Sequence, residues 1–236
     1  MVFGLASLSS YWMHALRVPQ PLFPPALFSV RSLRVGLLGN LFARLGTGAA
    51  PFMIPLLLQV GLGMSPMHAG MMMLATVTGS MLVKRIAVGT VQRYGYRRVL
   101  QANSVLLACM LASFGLVSQA QPLPLLLAQL FVYGAINSMQ FSAMNSVTPK
   151  DVEGEFASSS NSLLSMVQML SMGMGVALAG ALMGGLSELW SSLGAHSLRA
   201  IHATFITVAL MTLAATLVFS QLDSDEPVRP APDSGD

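Results

Sequence analysis

Charge is scarce in this sequence. Lys, Arg, Asp and Glu together make up 9% of its 236 residues, where an ordinary soluble domain carries about 25%. A water-soluble globule of this size needs a charged surface, and these residues are too few to build one. Acids are scarcer still in the apolar runs, since all nine Asp and Glu lie outside them. That excludes paired carboxylates at depth, and it removes from this chain the buried acid that proton relays commonly use. No Ser/His/Asp constellation and no phosphate-cradling glycine loop is present, so the pattern is not that of an enzyme. The single cysteine, Cys109, excludes an intramolecular disulfide. His68 and His202 have no Cys, Asp or Glu at ligand spacing, so neither a metal site nor a cofactor is expected. Residues 1–16 lack the basic start and small-residue cleavage site of a secretory signal.

What the chain does have is apolar length. Hydrophobic residues make up 54%, with 18 Met and 21 Gly, a composition suited to helices packed in lipid, where Gly is more frequent than in soluble helices. A hydrocarbon layer about 30 Å thick takes roughly 20 apolar residues as helix. Such runs fall at 35–60, 67–83, 99–118, 123–147, 162–186 and 200–221. The expected fold is therefore an all-α membrane protein whose six transmembrane helices form one bundle over residues 35–221. The connections 61–66 and 119–122 are turn-like, which makes neighbouring helices antiparallel.

The basic residues orient the bundle. With alternating spans, Arg17, Arg31, Arg34, Lys84, Arg85, Arg93, Arg97, Arg98, Lys150 and Arg229 share one side, and only Arg199 lies on the other. The first side is read as cytoplasmic, with the C-terminus on it. Basic residues that punctuate apolar runs, rather than cluster on one polar face, exclude a nucleic-acid partner. Residues 1–34 read as the end of a truncated helix followed by a linker. That linker is either a stretch lying in the interface, with Leu27, Phe28, Val30 and Leu33 beside Arg31 and Arg34, or an irregular segment set by its prolines. Residues 222–236, acidic and short of large apolar side chains, read as a disordered cytoplasmic tail.

Polar residues inside such runs are costly unless they face a bundle interior or water. Arg44 lies about 13–15 Å into the first run by helix rise. At helical spacing it shares a face with Asn40, Gly48, Pro51 and Pro55. The stripe reads as a cavity wall; the bland alternative is an arginine snorkelling to the interface. In the fourth run Gln129, Tyr133, Asn137, Gln140 and Met144 share a face, and in the fifth Asn161, Ser165, Gln168 and Met172 do. Each face either lines a ligand path or holds helices together by hydrogen bonds. Gly180 and Gly184, spaced as Gly-x-x-x-Gly, read as a strip for close helix packing.

These residues also carry a resemblance. Arg44-Leu-Gly-Thr-Gly-Ala-Ala-Pro-Phe-Met-Ile-Pro55, with residues 58–70 behind it, resembles the ninth and tenth helices of the fourteen-helix drug–proton antiporters of the major facilitator superfamily. Arg93-Tyr-Gly-Tyr-Arg-Arg98 is similar to the basic loop motif repeated in each half of that superfamily, and Asn161-Ser-Leu-Leu-Ser165 adds to the likeness. The similarity runs from about residue 26 to 186 and more loosely to the end. It implies the C-terminal half of a multi-pass exporter in a bacterial inner membrane, with lipid, protons and a small molecule as partners. The N-terminal half, with its coupling carboxylate, would then be missing from this chain. Arg44 matches the family's membrane-embedded arginine, and Gly95, Arg97 and Arg98 match the loop motif. Gln92 stands where the motif usually has Asp, and Ala75 where relatives tend to have Pro. Three functions stay open: proton-coupled drug efflux, organic-anion export on the same fold, and a non-transporting truncated membrane protein.

Overall fold

The computed structural model describes residues 31–147, 157–191 and 197–221. The expected interfacial linker up to residue 30 and the expected tail from 222 lie outside them. Every secondary-structure element among the described residues is helical. Helix α1 (Arg31–Gly48) is followed after one residue by α2 (Ala50–Leu56) and a π-turn (Leu57–Gly61). Then come α3 (Pro66–Tyr94), α4 (Tyr96–Phe114), α5 (Leu123–Val147), α6 (Ala157–Ser191) and α7 (Ser197–Phe219). Three stretches are long and apolar enough to cross a membrane: Leu33–Gly61, Ser158–Leu189 and Leu198–Phe219. Amides and charges in α3, α4 and α5 dilute their apolar character.

Prolines shape the first of these stretches. Pro51 sits in the first turn of α2, where its missing N–H costs nothing. Pro55 lies inside α2 and has no N–H to return to the carbonyl of Pro51. The helix then widens: the Leu62 N–H donates to the Leu57 carbonyl at 2.9 Å and the Met64 N–H to Leu58 at 3.0 Å. Such π-turns inside helices are frequent at functional sites. Ser65 caps α3 by accepting from the His68 N–H at 3.4 Å, with Pro66 at the helix start.

The basic segment after residue 84 corrects the sequence reading. It is not a loop: α3 continues through Lys84 and Arg93 to Tyr94. Charged residues end an apolar run without ending a helix. The break is a single residue, Gly95, at φ 78° and ψ 155°. That region is essentially closed to any residue with a Cβ. The fifth expected span is likewise longer than its apolar run, since α6 carries exposed Glu188 within it.

Two small-residue crossings set the packing. On α3, a Cβ at Gly79 would overlap the Phe131 backbone of α5; on α5, a Cβ at Gly134 would overlap the Thr76 backbone of α3. Gly48 of α1 lies against the Met172 backbone of α6, and Gly175 of α6 against the Leu45 carbonyl. A central core then forms where Met53, Ile54 and Leu57 meet Leu107, Leu111 and Phe114, with Leu130, Tyr133 and Phe205. Phe114 is its hub, edge-on to Tyr133 at 5.7 Å and tilted against Phe205 at 5.6 Å.

The exterior is as apolar as this core. Met67, Met81, Leu82, Met169 and Leu217 are each two-thirds or more exposed. So many exposed large apolar side chains belong against lipid or another protein rather than water.

Candidate functional site

Arg44 is the buried charge of the bundle, 6% exposed. Three elements hold it. From α1, one turn back, Asn40 accepts from its Nε at 3.2 Å, while the Asn40 amide nitrogen donates to the Gly36 carbonyl at 3.1 Å. From α6, the Met172 sulfur lies 3.7 Å from Nη1. From α5, the Phe141 ring centroid lies 4.3 Å from the guanidinium carbon, a cation–π distance. Nη2 is buried and has no hydrogen-bond partner among the described residues.

Arg44 lines a cavity of about 230 Å³ between α1, α2, α3, α5 and α6. Thr47, Thr76, Ser80, Tyr133 and Asn137 supply its polar atoms, and Pro51, Ile54, Met73, Val77 and Met172 its apolar wall. The three hydroxyls of Thr47, Thr76 and Ser80 donate to carbonyls of their own helices, at 3.1, 2.6 and 2.7 Å. Their lone pairs are therefore what they offer the cavity. Among the described residues no Asp or Glu lines it. A second, much smaller space behind Arg44 is lined by Asn137, Gln140, Phe141 and Met144.

The structure divides the polar face of α5. Tyr133 and Asn137 reach the large cavity. Gln129 instead donates to Ser113 of α4 at 2.7 Å. Gln140 accepts from Asn103 at 2.8 Å and donates to Ser104 at 2.9 Å, both on α4, while touching only the small space. Gln168 of α6 donates to Asn145 of α5 and lies outside both linings. Pro55 does not line the cavity either, whereas Asn40 acts on it through Arg44.

Gly180 and Gly184 are open: a Cβ at either would meet nothing within 4 Å. The close approach of α6 to α1 is made by Gly175 instead. In the basic motif, Gln92 lines a groove of about 120 Å³ with Tyr96 and Ser146. Arg93 stacks at 5.5 Å on Tyr94, and Arg98 borders an outward groove with Leu106 and Met139. Arg97 is half-buried at the start of α4. Sequence reasoning missed Phe141, Thr76, Ser80 and Met73. Phe141 follows Gln140 and is neither an amide nor a charge, and Thr76 and Ser80, though one helical turn apart, stand in a stretch with no charge or amide to mark the face. Only the crossing at Gly79 and Gly134 brings them to Arg44's cavity.

Comparison with known proteins completes the picture. The model of the Major Facilitator Superfamily matches residues 36–235. Proteins named MdtD, and proposed to act in multidrug resistance, are similar along nearly the whole chain. The one from Serratia proteamaculans is 44% identical over 233 residues, covering 95% of this chain and 47% of its own length. Those of Pectobacterium atrosepticum and Klebsiella pneumoniae are 41% and 44% identical over 226 residues each, with 48% and 47% of their lengths covered. The chain thus spans about half the length of the curated relatives it matches. A helical bundle with an apolar exterior, a charged cavity on small-residue crossings and this match over residues 36–235 together place it: the chain belongs to the major facilitator superfamily, a family of membrane-embedded transporters.

Proposed function

We propose that this chain forms one wall of a translocation cavity in a proton-coupled exporter of small amphipathic molecules, drugs among them. The carrying observation is Arg44 and Asn137 lining a cavity inside a bundle whose other described buried side chains are uncharged. An arginine at a helix centre costs about 2.5–3.5 kcal/mol on insertion scales, so its retention calls for a role. The names of the MdtD relatives support the drug reading. In this reading six spans cross the bacterial inner membrane, and α1 with α2 and the π-turn makes one of them. The ten basic residues and the C-terminus face the cytoplasm. The facing wall and the coupling carboxylate come from a second six-helix half, because among the described residues no acid lines the cavity. Transporters built from repeats place such sites near the midplane, between their halves.

The test is clearance of a panel of lipophilic dyes, cationic, neutral and anionic, from the medium into everted membrane vesicles, whose outer face is the cytoplasmic one. Vesicles carrying this chain together with the second half that the proposal requires should clear dye in a proton-gradient-dependent manner. Val77→Trp, a large side chain placed at the exposed cavity wall, should slow that clearance several-fold. Clearance of no dye in the panel would overturn the exporter reading and leave a non-transporting membrane protein.

A further inference from the structure

We infer that the cavity at Arg44 selects molecules with a carboxylate or similar anionic head and a one- or two-ring apolar body. This rests on the cavity being the cargo site, and it names the class of cargo. The guanidinium has five N–H donors in a fixed plane. Described residues take at most two of them: the Nε hydrogen goes to Asn40, and one Nη1 hydrogen points at the weak thioether acceptor of Met172. Both hydrogens of Nη2 are uncommitted in a side chain 94% buried, being 6% exposed. A buried donor left without an acceptor is costly, and more so when charged. The demand is therefore for an acceptor, and for one that also neutralises.

The surroundings narrow the choice. Asn40, Met172 and Phe141 hold the guanidinium from three sides without supplying negative charge. Among the described residues the cavity lining contributes one positive charge and no carboxylate. A cationic ligand would bring like charge to a desolvated guanidinium. A neutral one would satisfy the donors with no gain in charge. A carboxylate accepts from the planar fork with two oxygens at once. The apolar wall of Ile54, Pro51, Met73 and Met172 then meets the body of the same molecule. Thioethers adapt to varied ring shapes, which suits a cavity that selects a head and tolerates a range of bodies.

The test uses three near-isosteric ligands, 2-naphthoate, 2-naphthamide and 2-naphthylmethylammonium, titrated calorimetrically into the purified protein. The expected order is carboxylate over amide by about 10-fold or more, a typical gain for a hydrogen bond to a charged group, with the ammonium weakest. Arg44→Gln should erase the preference, and Arg44→Lys should keep only part of it, because an ammonium lacks the fork. The comparison among ligands is made on the unaltered protein, so a poorly folding variant does not blunt it. Equal binding of carboxylate and amide, tighter binding of the ammonium, or no binding of 2-naphthoate would overturn the inference. The first two outcomes leave the exporter reading intact, since the dye assay answers that separately. Equal binding would point to a carboxylate from another protein segment as Arg44's partner.

Discussion

Adding one methyl group at Gly134 is expected to part the tightest helix crossing in the bundle. A Cβ built there would lie 2.7 Å from the Thr76 carbonyl carbon and 2.8 Å from its Cα, and nearer still to the carbonyl oxygen. Every one of these atoms is backbone, so no side chain can swing aside. Restoring ordinary contact requires α3 and α5 to separate by on the order of 1 Å, and a gap of that size forfeits about a quarter to a half of each dispersion contact across it. Overpacking of this kind costs about 1–3 kcal/mol. At about 3 °C per kcal/mol for a chain of this size, Gly134→Ala should lower the midpoint of heat-induced loss of monodisperse protein by several degrees. Gly184→Ala is the matched control. A Cβ there meets nothing within 4 Å, and alanine gains up to about 1 kcal/mol of helix propensity over glycine. It should leave the midpoint unchanged or raise it. Because Thr76 and Gly134 both line the cavity, the destabilised variant should also admit bulkier dyes. Equal midpoints for Gly134→Ala and Gly184→Ala, measured by gel filtration after stepped heating, would refute the crossing.

Three further outcomes follow from other parts of the structure. Gly95→Ala and Gly95→Asn should each cost about 1–3 kcal/mol in the same heating assay; rescue by Asn would contradict the backbone geometry, since ψ 155° lies outside the left-handed helical region that Asn tolerates. Gln140→Leu removes two interhelical hydrogen bonds and should cost about 1 kcal/mol, given roughly 0.6 kcal/mol per bond in such bundles. A cycle with Asn103→Leu should be non-additive, and strict additivity would show that the two amides are not coupled. For the proposed orientation, single cysteines at Met64 and Gln119 in a Cys109→Ala background should react with an impermeant thiol reagent added outside intact cells, while one at Gln92 should not; the reverse pattern would invert the topology.

Much of the fold was legible because apolar length and helix period act locally. The run at 123–147 coincides with α5, and the run at 35–60 differs from the joined α1, α2 and π-turn by only a few residues at its start. The failures have physical causes. Hydropathy registers where lipid-compatible residues stop, not where a helix stops, so the helical course of α3 from Lys84 to Tyr94 was misread as loop. Glycine spacing announces that close approach is possible without naming the partner. Gly180 and Gly184 carry the more familiar spacing yet are open, while the unremarkable Gly79, Gly134 and Gly175 make the contacts. Arg44 stood out because a buried charge is rare in such a run. Its partners Phe141 and Met172 come from helices about 100 residues away or more, and only tertiary packing reveals them.

One measurement reaches the proposed translocation cavity at Arg44 directly. Thr76→Cys places a thiol of similar size on the cavity wall. Leu210→Cys places one on the outer face of α7, at a position 62% exposed and read as facing lipid. Both are made in a Cys109→Ala background and treated in everted vesicles with a charged, membrane-impermeant thiol reagent. Thr76→Cys should react, 2-naphthoate should slow the reaction, and Leu210→Cys should stay unmodified. A Thr76→Cys thiol as inert as that at Leu210, from both faces of the membrane, would contradict that proposal.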